Sequence, residues 1–269
     1  MDRMQTTVGI IGAGSMGGSI ARGLITSGAL QPSDLWVCDP ATSCTEPLAQ
    51  LGVQVAPNAS SLVDAKTEVV VFAVKPQVLA DVVKPLAKSL KGRLVVSIAA
   101  GVPLSTLESL LPESHVVRVM PNLPIQVLSG ATAVTSGTRA SEAHTELVRQ
   151  LFSALGSAQV MREDQLDAEG AVVSCGPAYI ALFADALTRA GVRAGLPASA
   201  CREMVLATMR GVAETLLESG EHPRAYMERV TSPGGTTAAG LYAMEPLVQD
   251  AAYDAVDEAL RRTAELANG

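Results

Sequence analysis

The chain has 269 residues, 48 % of them hydrophobic and 17 % charged, with Lys+Arg 20 against Asp+Glu 27 for a net charge of −7. That much apolar material in a weakly charged chain offsets its ordering entropy by burial, so intrinsic disorder is excluded, and the length suits one large domain or two ordinary ones. An acidic balance and scarce aromatics (Phe 3, Tyr 4, Trp 1) supply neither phosphate neutralisation nor base stacking, which argues against a nucleic-acid partner.

The start, Met1 to Thr7, has no basic flank before an apolar stretch, and the uncharged run Thr6 to Ala21 is glycine-rich and too short to span a bilayer. A soluble cytoplasmic protein without a membrane partner is expected. Cys38, Cys44, Cys175 and Cys201 form no Cys-x-x-Cys pair, and His115, His144 and His222 are scattered, so neither a metal site nor a disulfide framework is expected. The histidines read as surface or edge residues.

Short β-branched runs at Thr7–Ile11, Leu35–Cys38, Glu68–Ala73, Leu94–Ile98 and Val116–Val119 are continuously apolar and bounded by turn formers. Such runs mark parallel strands covered on both faces. Helical stretches, Met16–Ser27 and Gln77–Leu90, lie between them, which predicts right-handed βαβ units in a doubly wound α/β sheet. A further βαβ-like segment follows over Ala131–Thr135, Ser141–Leu155 and Ala158–Met161. After Arg162 the strand-like runs stop, and Glu163–Val173, Pro177–Ala194, Pro197–Ser219 and Glu245–Ala267 read as helices. Two domains are therefore expected, 1–162 and 163–269. The second is all-α, and its surplus apolar surface suits dimerisation.

The first strand runs into Gly12-Ala13-Gly14-Ser15-Met16-Gly17, a G-x-G-x-x-G at a strand-to-helix turn. Gly12 permits the tight turn, Gly14 lets backbone approach a pyrophosphate, and Gly17 lets helix and strand pack closely, so the turn points to a bound dinucleotide. Asp39 ends the second strand, where a carboxylate accepts from a free ribose diol and repels a 2′-phosphate. No Lys or Arg lies between Arg22 and Lys66 to neutralise such a phosphate, and a cation from the helical half, such as Arg229, is the alternative source. NADH is therefore favoured, with NADPH possible. The plainer role of Asp39 is that of a turn residue ahead of Pro40.

Near the C-terminus, Val230-Thr231-Ser232-Pro233-Gly234-Gly235-Thr236-Thr237-Ala238-Ala239-Gly240-Leu241 is a loop of small residues feeding a helix that begins near Gly235. Free amides and hydroxyls converging on a positive helix end suit a small carboxylate, or form an ordinary hydroxyl cap.

Together with Cys175-Gly176-Pro177-Ala178-Tyr179, Val119-Met120-Pro121-Asn122, Val74-Lys75-Pro76-Gln77 and Ser97-Ile98-Ala99-Ala100-Gly101, in that family's order, this loop resembles pyrroline-5-carboxylate reductase, the last enzyme of proline biosynthesis. The resemblance runs from residue 7 to about 265. It implies an N-terminal Rossmann domain and a helical domain that interlocks with its twofold mate, a homodimer that in the family often assembles further into a decamer. It implies a cofactor held by Gly12, Ala13, Gly14, Ser15, Met16, Gly17, Asp39, Asn58, Ala73, Val74, Lys75, Pro76, Ile98, Ala99 and Ala100. Glu163, Ser232, Gly234, Gly235, Thr236 and Thr237 fall on the substrate side, with Thr237 donating to the ring nitrogen, and the loop serves a nicotinamide of either chain. Leu123, Val173-Ser174 and Ser15 depart from the family's usual Thr, Ser-Gly and Asn.

Reducing a cyclic imine asks for hydride at carbon and a proton on a nitrogen basic enough to be protonated in solution, so a site of hydroxyls and amides without a strong acid agrees with it. A β-hydroxyacid dehydrogenase wants a lysine in the helical half, and the chain has none after Lys91. A six-membered imine differs by one methylene, worth only about 1–3 kcal/mol. A dinucleotide-sensing module without turnover would not need Ser232 and Thr237.

Overall fold

In the computed structural model, which describes residues 4–65 and 67–268, the apolar runs become the strands of one sheet. Met1 to Arg3 of the N-terminal reading, Lys66 and Gly269 lie outside the described residues. In chain order the elements are β1 (Val8–Ile11), α1 (Ser15–Thr26), β2 (Leu35–Cys38), α2 (Thr42–Ala49), β3 (Gln54–Val55), α3 (Ala59–Asp64), β4 (Val69–Phe72), α4 (Pro76–Val83), β5 (Leu94–Ser97), α5 (Leu104–Leu110), β6 (His115–Pro121), β7 (Gly130–Ser136), α6 (Glu142–Ser153) and β8 (Gly156–Val160).

Side chains of β1 and β4 alternate between two cores. Val8, Ile10, Val69 and Val71 pack with Ile20 and Leu24 of α1 and Leu151 and Phe152 of α6, while Ile11, Val70 and Phe72 pack with Leu62, Leu79, Val83 and Leu107 on the other face. Burial on both faces is why these strands read as unbroken apolar runs, since a one-sided strand alternates.

Among the described residues the sheet has eight strands in the order β3-β2-β1-β4-β5-β6-β7-β8. The chain runs outward from β1 to β2 and β3, then returns to place β4 on the other side of β1. The strand order therefore reverses between β1 and β4, and the crevice beyond their carboxyl ends is where open α/β sheets bind ligands. β7–α6–β8 is the expected parallel unit, but β7 enters antiparallel to β6. The link holds little more than a 3-10 turn, Leu123–Val127 closed by left-handed Leu128, and is too short for a crossover.

Residues 163–173, expected as one helix, are three pieces: a 3-10 turn (Glu163–Gln165), α7 (Leu166–Glu169) and a π turn (Gly170–Ser174). Asn122, buried after β6, donates from Nδ2 to the Val173 carbonyl at 3.2 Å and accepts at Oδ1 from the Ala131 amide at 2.8 Å, which holds this backbone to the sheet. Leu166 and Ala171 are also buried. One compact unit thus comprises residues 1–174 with 262–269, and the other 175–261, where the sequence reading divides the chain after 162.

The second unit contains α8 (Gly176–Arg193), α9 (Ala198–Ser219), α10 (Pro223–Arg229) and most of α11 (Thr236–Asn268). The turn between α8 and α9 uses Gly195 at φ 102°, and a side chain on Gly191 would collide with the Cys201 sulfur, so the two helices meet at a glycine. α10, unexpected from the sequence, starts at Pro223, whose fixed φ suits a first helical position, with the His222 Nδ1 accepting from the Arg224 amide at 3.2 Å. Ile180, Leu182, Phe183, Leu206 and Leu247 stand exposed on this unit.

Candidate active site

The glycine turn between β1 and α1 is built by close backbone approaches. The Gly12 amide donates to the Cys38 carbonyl at 2.9 Å, a Cβ on Gly12 would lie 2.6 Å from the Ala73 carbonyl oxygen, and one on Gly17 would collide with the Gly12 carbonyl. Gly14 is different: a Cβ there would meet nothing within 4 Å. Protein packing explains Gly12 and Gly17. Open space lies in front of Gly14, at the N-terminus of α1, where exposed amides and the helix dipole favour a phosphate.

A cavity of about 520 Å³ opens there. It brings together Gly14, Ser15 and Met16 with Ala73, Val74, Lys75 and Pro76 after β4, Ile98, Ala99 and Ala100 after β5, and Met120 to Leu123 at the end of β6. Three loops far apart in sequence thus share one wall because parallel strands end at one edge. Ser174, from the π turn, completes the lining. Leu123 and Ser174, two departures from the family pattern, both stand on this wall.

Asp39 and Asn58 lie outside that lining, at the β2–β3 side. The Asp39 carboxylate accepts from the Ala13 amide through Oδ2 at 2.8 Å and from the Ala41 amide through Oδ1 at 2.9 Å, so it braces the glycine turn and also makes the turn ahead of α2. Asn58 caps α3, its Oδ1 accepting from the Ser61 amide at 2.8 Å. Cys38, buried just before Asp39, has its thiol pushed up to about 11, by burial first and then by the neighbouring carboxylate, so it is an inert thiol.

Glu163 belongs to the sheet unit. Its Oε1 accepts from the Leu104 amide at the start of α5, at 2.6 Å, and from the Arg118 guanidinium on β6, at 3.1 Å. The Arg118 side chain is 5 % exposed and that of Glu163 36 %, so the carboxylate closes off a buried cation. Ser232, Gly234, Gly235, Thr236 and Thr237 lie in the helical unit. Gly234 turns the chain at φ 67°, the Gly235 amide donates to the Ser232 carbonyl at 3.0 Å, and any side chain on Gly235 would overlap the Ser232 hydroxyl. α11 begins at Thr236, so exposed Thr236 and Thr237 are its first residues, where backbone amides lack partners within the helix. Arg229 is held by Glu221, its Nη2 donating at 2.7 Å, and lies 4.8 Å from the Tyr226 ring centre.

Sequence reasoning missed two clusters. His115 and His144 stack at 4.3 Å, with the His144 imidazole pKa lowered by burial and then by His115. They sit at the amino end of β6, about 16 Å of strand from the cavity. Glu169, 7 % exposed on α7, is the second. No periodicity or motif marks either one.

The N-terminal 7–101 match the family described as NADP oxidoreductase coenzyme F420-dependent, and residues 163–266 match pyrroline-5-carboxylate reductase dimerisation. Pyrroline-5-carboxylate reductase of Synechocystis is 37 % identical over 98 % of this chain and 99 % of its own length. The chain belongs to the pyrroline-5-carboxylate reductase family. Two solved members carry its fold over nearly full length: that of Coxiella burnetii (29 % identity, TM-score 0.92, covering 98 % of this chain and 99 % of its own) and that of Plasmodium falciparum, with NADP bound (27 %, 0.87, 99 % and 100 %). The helical half is the family's oligomerisation domain.

Proposed function

We propose that the chain reduces 1-pyrroline-5-carboxylate to L-proline with a nicotinamide dinucleotide seated across the sheet's switch point. The observation that carries this reading is the cavity beyond β1, β4 and β5, entered by a glycine turn whose Gly14 faces open space. When bound, the cofactor supplies the hydride. Gly12 to Gly17 would receive its pyrophosphate on the amides of α1, Asp39 and Asn58 its adenosine ribose, and Ala73 to Pro76 with Ile98 to Ala100 its nicotinamide end.

Ser232 and the Gly234 to Thr237 amides would hold the substrate carboxylate at the positive end of α11. The Thr237 hydroxyl would donate to the ring nitrogen. Glu163 uses Oε1 for both of its bonds, which leaves Oε2 for a substrate-side role. The imine accepts its proton from solvent before hydride arrives, so these residues orient and desolvate more than they ionise.

NADH is the preferred cofactor in this proposal. Asp39 keeps a carboxylate beside the ribose position, and Arg229, the helical-half cation weighed against a 2′-phosphate, is held by Glu221. The exposed apolar side chains of α8 and α9 support a homodimer through the helical unit, the building block of a decamer. Within Glu163–Arg193 an 18-residue window reaches a mean hydropathy of 1.5, long and apolar enough to cross a bilayer by length and composition. The first part of Glu163–Arg193 is anchored to the sheet through Glu163 and Val173, which favours a second copy over lipid as its cover, in a cytoplasmic enzyme.

Initial rates of NADH and NADPH oxidation with pyrroline-5-carboxylate test the reading. Rapid turnover with NADH ahead is expected. Turnover led by NADPH overturns the role given to Asp39, and no turnover with either overturns the assigned reaction.

A further inference from the structure

One buried carboxyl beside the cavity has no place in the reaction just described. Glu169 on α7 is 7 % exposed, and its Oε2 accepts from the Ser174 hydroxyl at 3.2 Å, while Oε1 is buried without a hydrogen-bond partner. Ser174 is also part of the cavity wall. Glu169 immediately precedes a π turn that Ser174 ends, and isolated π turns recur at functional sites. Ser174 stands, moreover, where the resembling family has glycine, so this chain has added a hydroxyl to the wall, and Glu169 lies behind it.

We propose that Glu169 is a positioning residue that acts through Ser174, setting whether that hydroxyl offers a hydrogen or a lone pair to the nicotinamide end of a cofactor in the cavity. The proposal rests on the cofactor reading above. A carboxylate at Glu169 accepts only, so Ser174 must point its hydrogen backward and show the cavity an acceptor. A protonated Glu169 donates to the Ser174 oxygen, and the serine hydrogen is then free to bond an acceptor such as the cofactor's carboxamide oxygen. The switch falls in the physiological range, since burial pushes the Glu169 carboxyl up to about 7, opposed only by the Ser174 bond.

Few charges bear on it. The π turn itself, Gly170 to Ser174, has no titratable side chain. On the preceding turns stand Asp167, Asp164 and Glu163, the last paired with Arg118 of β6, and Lys75 is the cation of the cavity wall. Met120 of β6 lies beside Gly170.

The test is NADH and NADPH binding, read by nicotinamide fluorescence from about pH 5.5 to about pH 8.5, in the full-length protein and in Glu169→Gln and Ser174→Ala. The wild type is expected to lose about three- to ten-fold in affinity with a midpoint near 7, the worth of one hydrogen bond. Glu169→Gln, whose amide donates permanently to Ser174, should keep the low-pH affinity throughout, and Ser174→Ala should be flat. A flat wild type, or a wild-type midpoint surviving in Glu169→Gln, overturns the proposal. A midpoint surviving in Ser174→Ala overturns the route through the hydroxyl. Turnover of pyrroline-5-carboxylate, measured separately, reports on the reaction alone, so the pH-dependent affinity stands or falls without it.

Discussion

The Asp39 carboxylate bridges two backbone amides, taking Ala13 at 2.8 Å on one oxygen and Ala41 at 2.9 Å on the other. One side chain thus ties the end of β2 to the glycine turn and, in the proposed site, would set the charge met by the cofactor's ribose. Asp39→Asn keeps one acceptor and turns a donor toward the second amide, so the brace loosens while the negative charge disappears. The ratio of kcat/KM for NADPH to that for NADH is expected to rise about ten-fold, with both absolute values reduced. An unchanged ratio in paired initial-rate assays would remove Asp39 from cofactor selection.

Thr237 is the second residue of α11, and its hydroxyl is the proton-side donor of the proposed site. Thr237→Ala should lower kcat by at least about ten-fold at saturating cofactor, within the range for a single positioned donor. Thr237→Ser should recover most of it. Wild-type rates in the alanine variant would take the hydroxyl out of the mechanism.

Arg118 and Glu163 make an asymmetric pair, one side chain 5 % exposed and the other 36 %. Glu163→Ala strands a buried guanidinium and frees the Leu104 amide, at a cost of about 2–4 kcal/mol. Arg118→Met leaves a carboxylate that water still reaches and should cost about 1 kcal/mol. Urea unfolding of both variants gives the order, and equal losses would refute the asymmetry.

Glu169 links folding to pH in the less common direction. Burial raises its carboxyl from 4.5 to about 7, so the folded chain binds this proton more tightly than the unfolded chain does. Its stabilising contribution is complete below the unfolded pKa and fades as pH rises through the folded one, for a total of about 3 kcal/mol. Glu169→Gln removes that dependence. The variant should gain about 2–3 kcal/mol on the wild type between pH ~5 and ~8, and parallel stability curves would contradict the raised value.

The sheet was legible where both faces are buried. β1, β2, β4 and β5 lie within a residue or two of the apolar runs, because such strands need no partner to be recognised. β3, two residues of which one is exposed, carries no such run, and α2, α3 and α5 are too short for a helical period to repeat. The cavity loops were legible since each is a local motif. Arg118 with Glu163, separated by 45 residues, and His115 with His144 were not, because only the folded sheet brings them together.

The helical unit gives a different kind of consequence. Among its described residues only Ala184 and Cys201 bury an apolar side chain within one chain, whereas Ile180, Leu182 and Leu206 stand open. The sheet unit carries two full cores of its own. Melting should therefore be first-order for the sheet half and concentration-dependent for the helical half, whose interior is completed by another copy. Dilution alone should then act as a denaturant on one half of this molecule and leave the other intact.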